Sequence, residues 1–411
     1  MGAATSAHQV EGNNDRNDWW AWEAAGKVRT PSREACDHWS RIHEDVALIA
    51  SLGHTAYRFS LEWSRLEPNE NEWDEAAFSH YAKLLTELHL RQIEPVVTLH
   101  HFTNPQWFAR RGGWLAEDAP LIFARYVREV SRRVGGKVRF WITINEPMVY
   151  VYYGYVIGSW PPGERSFDAA TRVLRNLLIA HVRAYQELHS ICDGLTGAPV
   201  SVSIAKHLTH FAPCRKNSLS DRFAVFLRNQ FFNAMCFSAL STGFLFFPGV
   251  FCERLPGERT LDFLGVNYYR RDFIRFGGLR DQGPLGEICE DAHHAGQIAE
   301  RNSMGWEIYP EGLYRVLAAL RRFSLPVLIC ENGVATDDDT QRVRFIESHV
   351  QSIERVRSEG LDVSGYLYWS LFDNFEWAEG YKPRFGIVEV GAADKTRKVR
   401  PSAHVLSRVC R

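Results

Sequence analysis

Eight short runs, the first small and weakly apolar and the others apolar, alternate along the chain with segments at helical spacing, and no other feature restricts the fold so strongly. The runs fall at 2–8, 55–60, 94–100, 140–146, 200–206, 262–269, 326–331 and 365–371. Ile42, Val46, Ile49 and Leu52 recur three and four apart, with Gly53 placed to end their helix. Phe78, Tyr81, Leu84, Leu85 and Leu88 mark one face of a helix over 74–90, and further helices are expected over 117–134, up to about 192, and over 218–240, 311–323, 340–359 and 401–409. Eight strand–helix pairs close a (β/α)8 TIM barrel, so the fold class is α/β with 1–411 as one domain. A doubly wound open sheet would need a glycine-rich phosphate loop after its first strand, and Gln9-Val10-Glu11-Gly12 is not one.

Two of the runs end alike. Phe140-Trp141-Ile142-Thr143-Ile144-Asn145-Glu146-Pro147 and Pro326-Val327-Leu328-Ile329-Cys330-Glu331-Asn332-Gly333 are apolar strands closed by a glutamate and a turn. In a parallel barrel such ends share the C-terminal rim, where the chemistry of this fold sits. Two carboxylates on one rim suit glycosidic bond cleavage, one as acid and the other as nucleophile or base. The 13 Trp, 15 Tyr and 25 Phe, many of them near strand ends, offer flat rings for the C–H faces of sugars as well as filling for a large core.

Other functions are excluded on simple grounds. Basic and acidic residues balance, 48 against 49, which leaves no electrostatic case for nucleic acid or an anionic membrane. The apolar stretch 244–251 is interrupted by Pro248 and Gly249 and is too short for a membrane span. Cys36, Cys192, Cys214, Cys236, Cys252, Cys289, Cys330 and Cys410 never form a Cys-x-x-Cys pair, so neither a zinc ribbon nor a redox motif is expected, and with no signal peptide visible the expectation is a reduced, cytoplasmic protein. His8, His100 and His101 invite a metal reading, but neighbours on a strand point to opposite faces, so one of His100 and His101 faces away. No metal or cofactor is expected, there or at His293-His294.

The two glutamate motifs resemble the double signature of glycoside hydrolase family 1, the retaining β-glycosidases. Other stretches resemble the family's landmarks in order: Gly2 through Gly12, Tyr57-Arg58-Phe59-Ser60, Thr98-Leu99-His100-His101-Phe102, Phe263-Leu264-Gly265-Val266-Asn267-Tyr268-Tyr269, Met304-Gly305-Trp306, and Tyr368-Trp369-Ser370-Leu371-Phe372-Asp373-Asn374-Phe375-Glu376-Trp377. The likeness implies Glu331 as nucleophile, kept ionised by Arg58 and held by Tyr269, and Glu146 as acid/base with the higher pKa. It implies that Gln9, His101, Asn145 and Glu376 bond the hydroxyls of the glycone, the sugar whose bond is cut. Trp369 would lie beneath its ring, Trp377 near its outer hydroxyls, Trp306 beside the aglycone leaving group, and Asn267 in the site wall. The implied substrate is a small β-glucoside, β-galactoside or β-fucoside, or an oligosaccharide, with oligomeric state open. Transfer of a glycosyl group to a lipid or alcohol is the first alternative, on 158–163 and Arg400-Pro401-Ser402-Ala403-His404, and a non-catalytic sugar-binding barrel is the second.

The chain also departs from the pattern. It begins almost inside the first strand, so that strand's base is expected to be unpaired unless the true start lies upstream. The connection 243–262 is short, Phe102 stands where tryptophan is usual, and Cys330 where threonine or another small residue is more common. The shortened rim is expected to open the aglycone side, unless 277–301 roofs it.

Overall fold

The β-branched runs are covered on both faces: Val202, Ile204, Val266 and Ile329 have no solvent exposure, which only a sheet packed between two layers achieves. The computed structural model describes residues 1–278, 283–289, 294 and 296–409. Its principal sheet has eight parallel strands, β1 (Gly2–Ala4), β2 (Ala56–Ser60), β3 (Glu94–His100), β4 (Phe140–Asn145), β5 (Ser201–Pro213), β6 (Leu264–Arg275), β7 (Val327–Asn332) and β8 (Val363–Trp369). Each strand bonds to the next in chain order and β8 returns to β1, so the sheet closes into a (β/α)8 TIM barrel. Ala4, Val96, Ile142, Ala205, Leu328, Cys330 and Leu367 form one apolar cluster contributed by six strands, the barrel's filling, while a larger cluster packs strands against helices.

The helices follow their stripes. Ala119–Val134 buries Ile122, Phe123, Tyr126, Val127, Val130 and Val134 and leaves its arginines at the surface. Glu75–Leu90 begins at Asp74, whose carboxylate accepts from the Ala77 amide at 2.9 Å. Among the described residues no helix is long and apolar enough to cross a membrane.

Several expectations need correction. The 2–8 run is strand only over Gly2–Ala4, and Ala7–Val10 turns once as helix, which aims His8 and Gln9 differently from strand neighbours. The base of β1 is paired on both sides, with Gly2 opposite Ala56 and Leu367, and the Met1 carbonyl accepting from the Thr55 amide. A side chain at Gly2 would put its Cβ 1.7 Å from the Ala56 carbonyl oxygen, so this approach needs glycine. The helix expected over 218–240 is three pieces, Leu219–Arg228, a wide turn over Asn229–Ala234, and Met235–Thr242. The short 243–262 connection holds an antiparallel hairpin of Phe244–Phe247 with Phe251–Arg254. Strands β5 and β6 run past the rim and stay paired from Leu208 opposite Tyr268 to Pro213 opposite Ile274. The cysteines are not all reduced, because Cys214 and Cys289 are joined as a disulfide across 75 residues. Of the segment 277–301, residues 279–282, 290–293 and 295 lie outside the described residues; of the rest, Glu287 and Ile288 pair with the end of β6.

Replacing Asp74 by Ala removes the cap of Glu75–Leu90 and is expected to lower the unfolding free energy by about 1 kcal/mol, read from the midpoint of denaturant unfolding.

Candidate active site

Strand β4 ends at Asn145, and the next residue, Glu146, takes a left-handed conformation with φ 46° before Pro147 opens a short helix. This uncommon backbone is fixed by the Glu146 amide donating to the Ala205 carbonyl at 2.7 Å, and it delivers the carboxylate to the mouth of the barrel. Strand β7 delivers Glu331. Its continuation at Gly333 passes so close to Trp369 that a Cβ there would lie 1.6 Å from the Trp369 carbonyl oxygen.

Arg58, fully buried on β2, ties these strands together. Its guanidinium donates to Glu331 Oε1 at 2.6 Å, to the Cys330 carbonyl at 3.2 Å, to Asn145 Oδ1 at 2.8 Å and to Thr98 Oγ1 at 3.0 Å. Tyr269 donates its hydroxyl to the other oxygen of Glu331 at 2.6 Å. Asn267 sits opposite Glu331 in the β6–β7 register, and its side chain donates to Glu146 Oε1 at 2.8 Å and to Asn145 Oδ1 at 3.2 Å.

The remaining expected residues converge on this centre. With Asn145 Oδ1 accepting from Arg58, its amide nitrogen faces His101 Nε2 at 3.3 Å, which makes that nitrogen an acceptor and places the imidazole proton on Nδ1. Nδ1 is buried and has no partner among the described residues. Burial, with the Arg58 charge beside it, holds His101 well below the ordinary histidine value, so it is neutral. His101 stacks on Trp369 and Trp377 at 5.8 and 6.1 Å between ring centres. Gln9 donates to Glu376 Oε2 at 3.2 Å and to the Phe375 carbonyl at 2.9 Å, its own oxygen accepting from Ser6 at 2.6 Å. Trp306 lies 5.9 Å from the Tyr269 ring. Phe102, where tryptophan was the usual residue, packs on Trp160 and Trp377 as part of the wall.

His100 points away, toward Asn104, Trp114 and Tyr150. His8 is engaged by Glu23 and Asn17. His293 lies outside the described residues. A cavity of about 420 Å³ lined by Trp39, Arg65, Asp74 and His80 contains none of the expected residues, so the chemistry is placed by the carboxylates and not by the size of a hollow.

One neighbour was missed. His207, just past the rim on β5, places Nδ1 3.2 Å from Glu146 Oε1 and Nε2 3.1 Å from Thr209 Oγ1, and stacks on Tyr269 with 5.7 Å between ring centres. The polar pair Lys206-His207 closing an apolar run was the available signal. Lys206, brought down to about 8 by burial, adds a positive charge near Glu146.

The two carboxyls are displaced by different partners. Burial and the charge of Glu146 push Glu331 up to about 7, against the opposing pull of Arg58 and Tyr269. Burial also raises Glu146, but His207, Asn267 and Lys206 together bring it below the ordinary carboxylate value. Glu376 is pushed up to about 8, by burial first and then by the charges of Glu331 and Glu146.

A model of glycosyl hydrolase family 1 matches residues 1–411. β-Glucosidase A of Thermotoga maritima is 32% identical over 99% of this chain and 96% of its own length. A β-galactosidase of Pyrococcus woesei is 29% identical over 96% of this chain and 92% of its own. Among solved structures, the β-glycosidase from Pyrococcus horikoshii superposes with a TM-score of 0.91 at 40% identity, covering 100% of this chain and 93% of that one.

Exchanging Arg58 for Met leaves a buried carboxyl without its cation. The variant is expected to lose about 3–5 kcal/mol of stability and to hold Glu331 further toward its protonated form, measured by denaturant unfolding and by the infrared carboxyl band across pH.

Proposed function

The chain belongs to glycosyl hydrolase family 1, and from that membership we propose that it is a retaining β-glycosidase hydrolysing small β-glucosides, β-galactosides or β-fucosides through a covalent glycosyl-enzyme, with 1–411 acting as one catalytic unit. The observation that carries the reading is Asn267, opposite Glu331 in register and hydrogen-bonded to Glu146. Retention needs two carboxyls about 5–5.5 Å apart, and strand neighbours that put Glu331 beside the residue bonding Glu146 support that.

Glu331 is the nucleophile and Glu146 the acid/base. A bound β-glycoside sets its glycosidic oxygen at Glu146 and its anomeric carbon at Glu331. An aglycone arriving between Glu146 and His207 separates the imidazole from the carboxyl. Glu146 then rises and holds its proton, while Glu331 is an anion held by Arg58 and Tyr269. Glu146 protonates the leaving oxygen while Glu331 bonds to the anomeric carbon. Once Glu331 is an ester its charge is gone and Glu146 is again the stronger acid, so it accepts a proton from water, and the hydroxide releases the sugar.

Glycone recognition falls to Gln9, His101, Asn145 and Glu376, with Trp369 under the ring and Trp377 beside the outer hydroxyls. His101 offers its Nδ1–H. Glu376, whose carboxyl is pushed upward by burial, reads the 4- and 6-hydroxyls without rejecting either epimer. That agrees with relatives named for glucosides and for galactosides. On the aglycone side Trp306, and Phe232 at 5.9 Å from His207, supply apolar rings, which supports transfer to an alcohol acceptor as a secondary activity.

Glu331→Ala is expected to lose at least about a thousandfold in kcat, with azide restoring release as the inverted glycosyl azide, seen by NMR of the product. Unchanged turnover would remove the assignment. His207→Ala removes a donor that keeps Glu146 low, so the Glu146 carboxyl titrates at higher pH. Since glycosylation uses the protonated form, the alkaline limb of kcat/KM is expected to move upward by about half a pH unit or more, measured on a nitrophenyl β-glycoside.

A further inference from the structure

Away from the carboxylates, three metal-ligating side chains meet at the far end of the β5–β6 extension. Cys214 directly follows β5, Cys289 follows the short strand paired to β6, and His294 lies five residues beyond. The Cys214 amide donates to the Ile274 carbonyl and the Cys289 amide to the Phe273 carbonyl, both at 2.7 Å, so the two cysteines are anchored to consecutive residues of β6. The His294 ring lies flat on Phe273, 3.6 Å between centres and 3° between planes, which fixes its orientation. One donor atom from each of the three falls within 4.8 Å of the others, and no other such group of three occurs among the described residues. Cys289 and His294 are buried and Cys214 is half-buried.

We propose that in the reduced protein Cys214, Cys289 and His294 bind one zinc ion. Two sulfurs and one imidazole form a known zinc donor set whose fourth position takes water, and four residues between Cys289 and His294 give the spacing of a chelating pair. Thiolate and imidazole together select zinc over magnesium or calcium, which prefer oxygen. Binding replaces the two thiol protons, which leave to solvent, so two thiolates cancel the charge of the ion and the buried site stays neutral. The disulfide of the structure is the two-electron-oxidised form of the same pair, and the two states exclude one another. The other described cysteines, Cys36, Cys192, Cys236, Cys252 and Cys330, are free thiols and none belongs to such a group. The ion ties the end of β5 to the return strand beside β6.

The test uses the full chain, reduced with a phosphine, stripped by a chelator and titrated with zinc against a chromophoric competitor. One zinc per chain is expected, and cobalt in its place is expected to show thiolate-to-metal charge-transfer absorption. His294→Ala should weaken binding at least tenfold, and Cys214→Ser should remove the charge-transfer band. Added zinc should raise the melting temperature of the reduced wild type and leave both variants unchanged. Reduced wild type that binds no more zinc than Cys214→Ser, or a His294→Ala variant of unaltered affinity, overturns the proposal. His294→Ala leaves both sulfurs in place and decides the matter should Cys214→Ser fail to fold.

Discussion

The guanidinium of Arg58 is where the barrel and its chemistry meet. A fully buried cation is stable only when paired and hydrogen-bonded, and Arg58 makes four such bonds, to β3, β4 and β7, from its own place on β2. Its bond to Asn145 settles which way that amide faces. The amide in turn settles which nitrogen of His101 carries hydrogen, and so what the pocket presents to a sugar. One charge thus orders three side chains on three strands, and none of them can be adjusted alone.

Around that fixed centre the protonation of the two acids depends on softer contacts. Glu331 is held from two sides within the barrel, by Arg58 and Tyr269, and these partners cannot leave without disturbing the fold. Glu146 is held by Asn267 from the inside and by His207 from the open side. The inner bond is permanent and the outer one exchangeable. A change on the His207 side therefore acts on Glu146 and not on Glu331.

Much of this could be read from the chain because the decisive residues end apolar strands. Glu146, Glu331, Arg58 and Asn267 are polar interruptions in runs that are otherwise buried, and a closed parallel sheet leaves such positions only one rim. His207 could not be placed that way. It matters only because β5 continues past the rim in a particular register with β6, and register beyond the rim is set by pairing, not by an apolar pattern. The same reason hid the meeting of Cys214 with Cys289, and the Phe244–Arg254 hairpin, whose aromatic run carried no turn chemistry except Pro248-Gly249.

The overhang of β5 and β6 makes the mouth unequal on its two sides. Opposite the loop that carries Glu376 and Trp377 stands a stretch of laddered backbone whose stiffness comes from main-chain bonds and owes little to the side chains it displays. Residues on such a ledge can be exchanged while its path persists. Side chains on that ledge can therefore change one at a time, whereas the residues tied to Arg58 change only as a group.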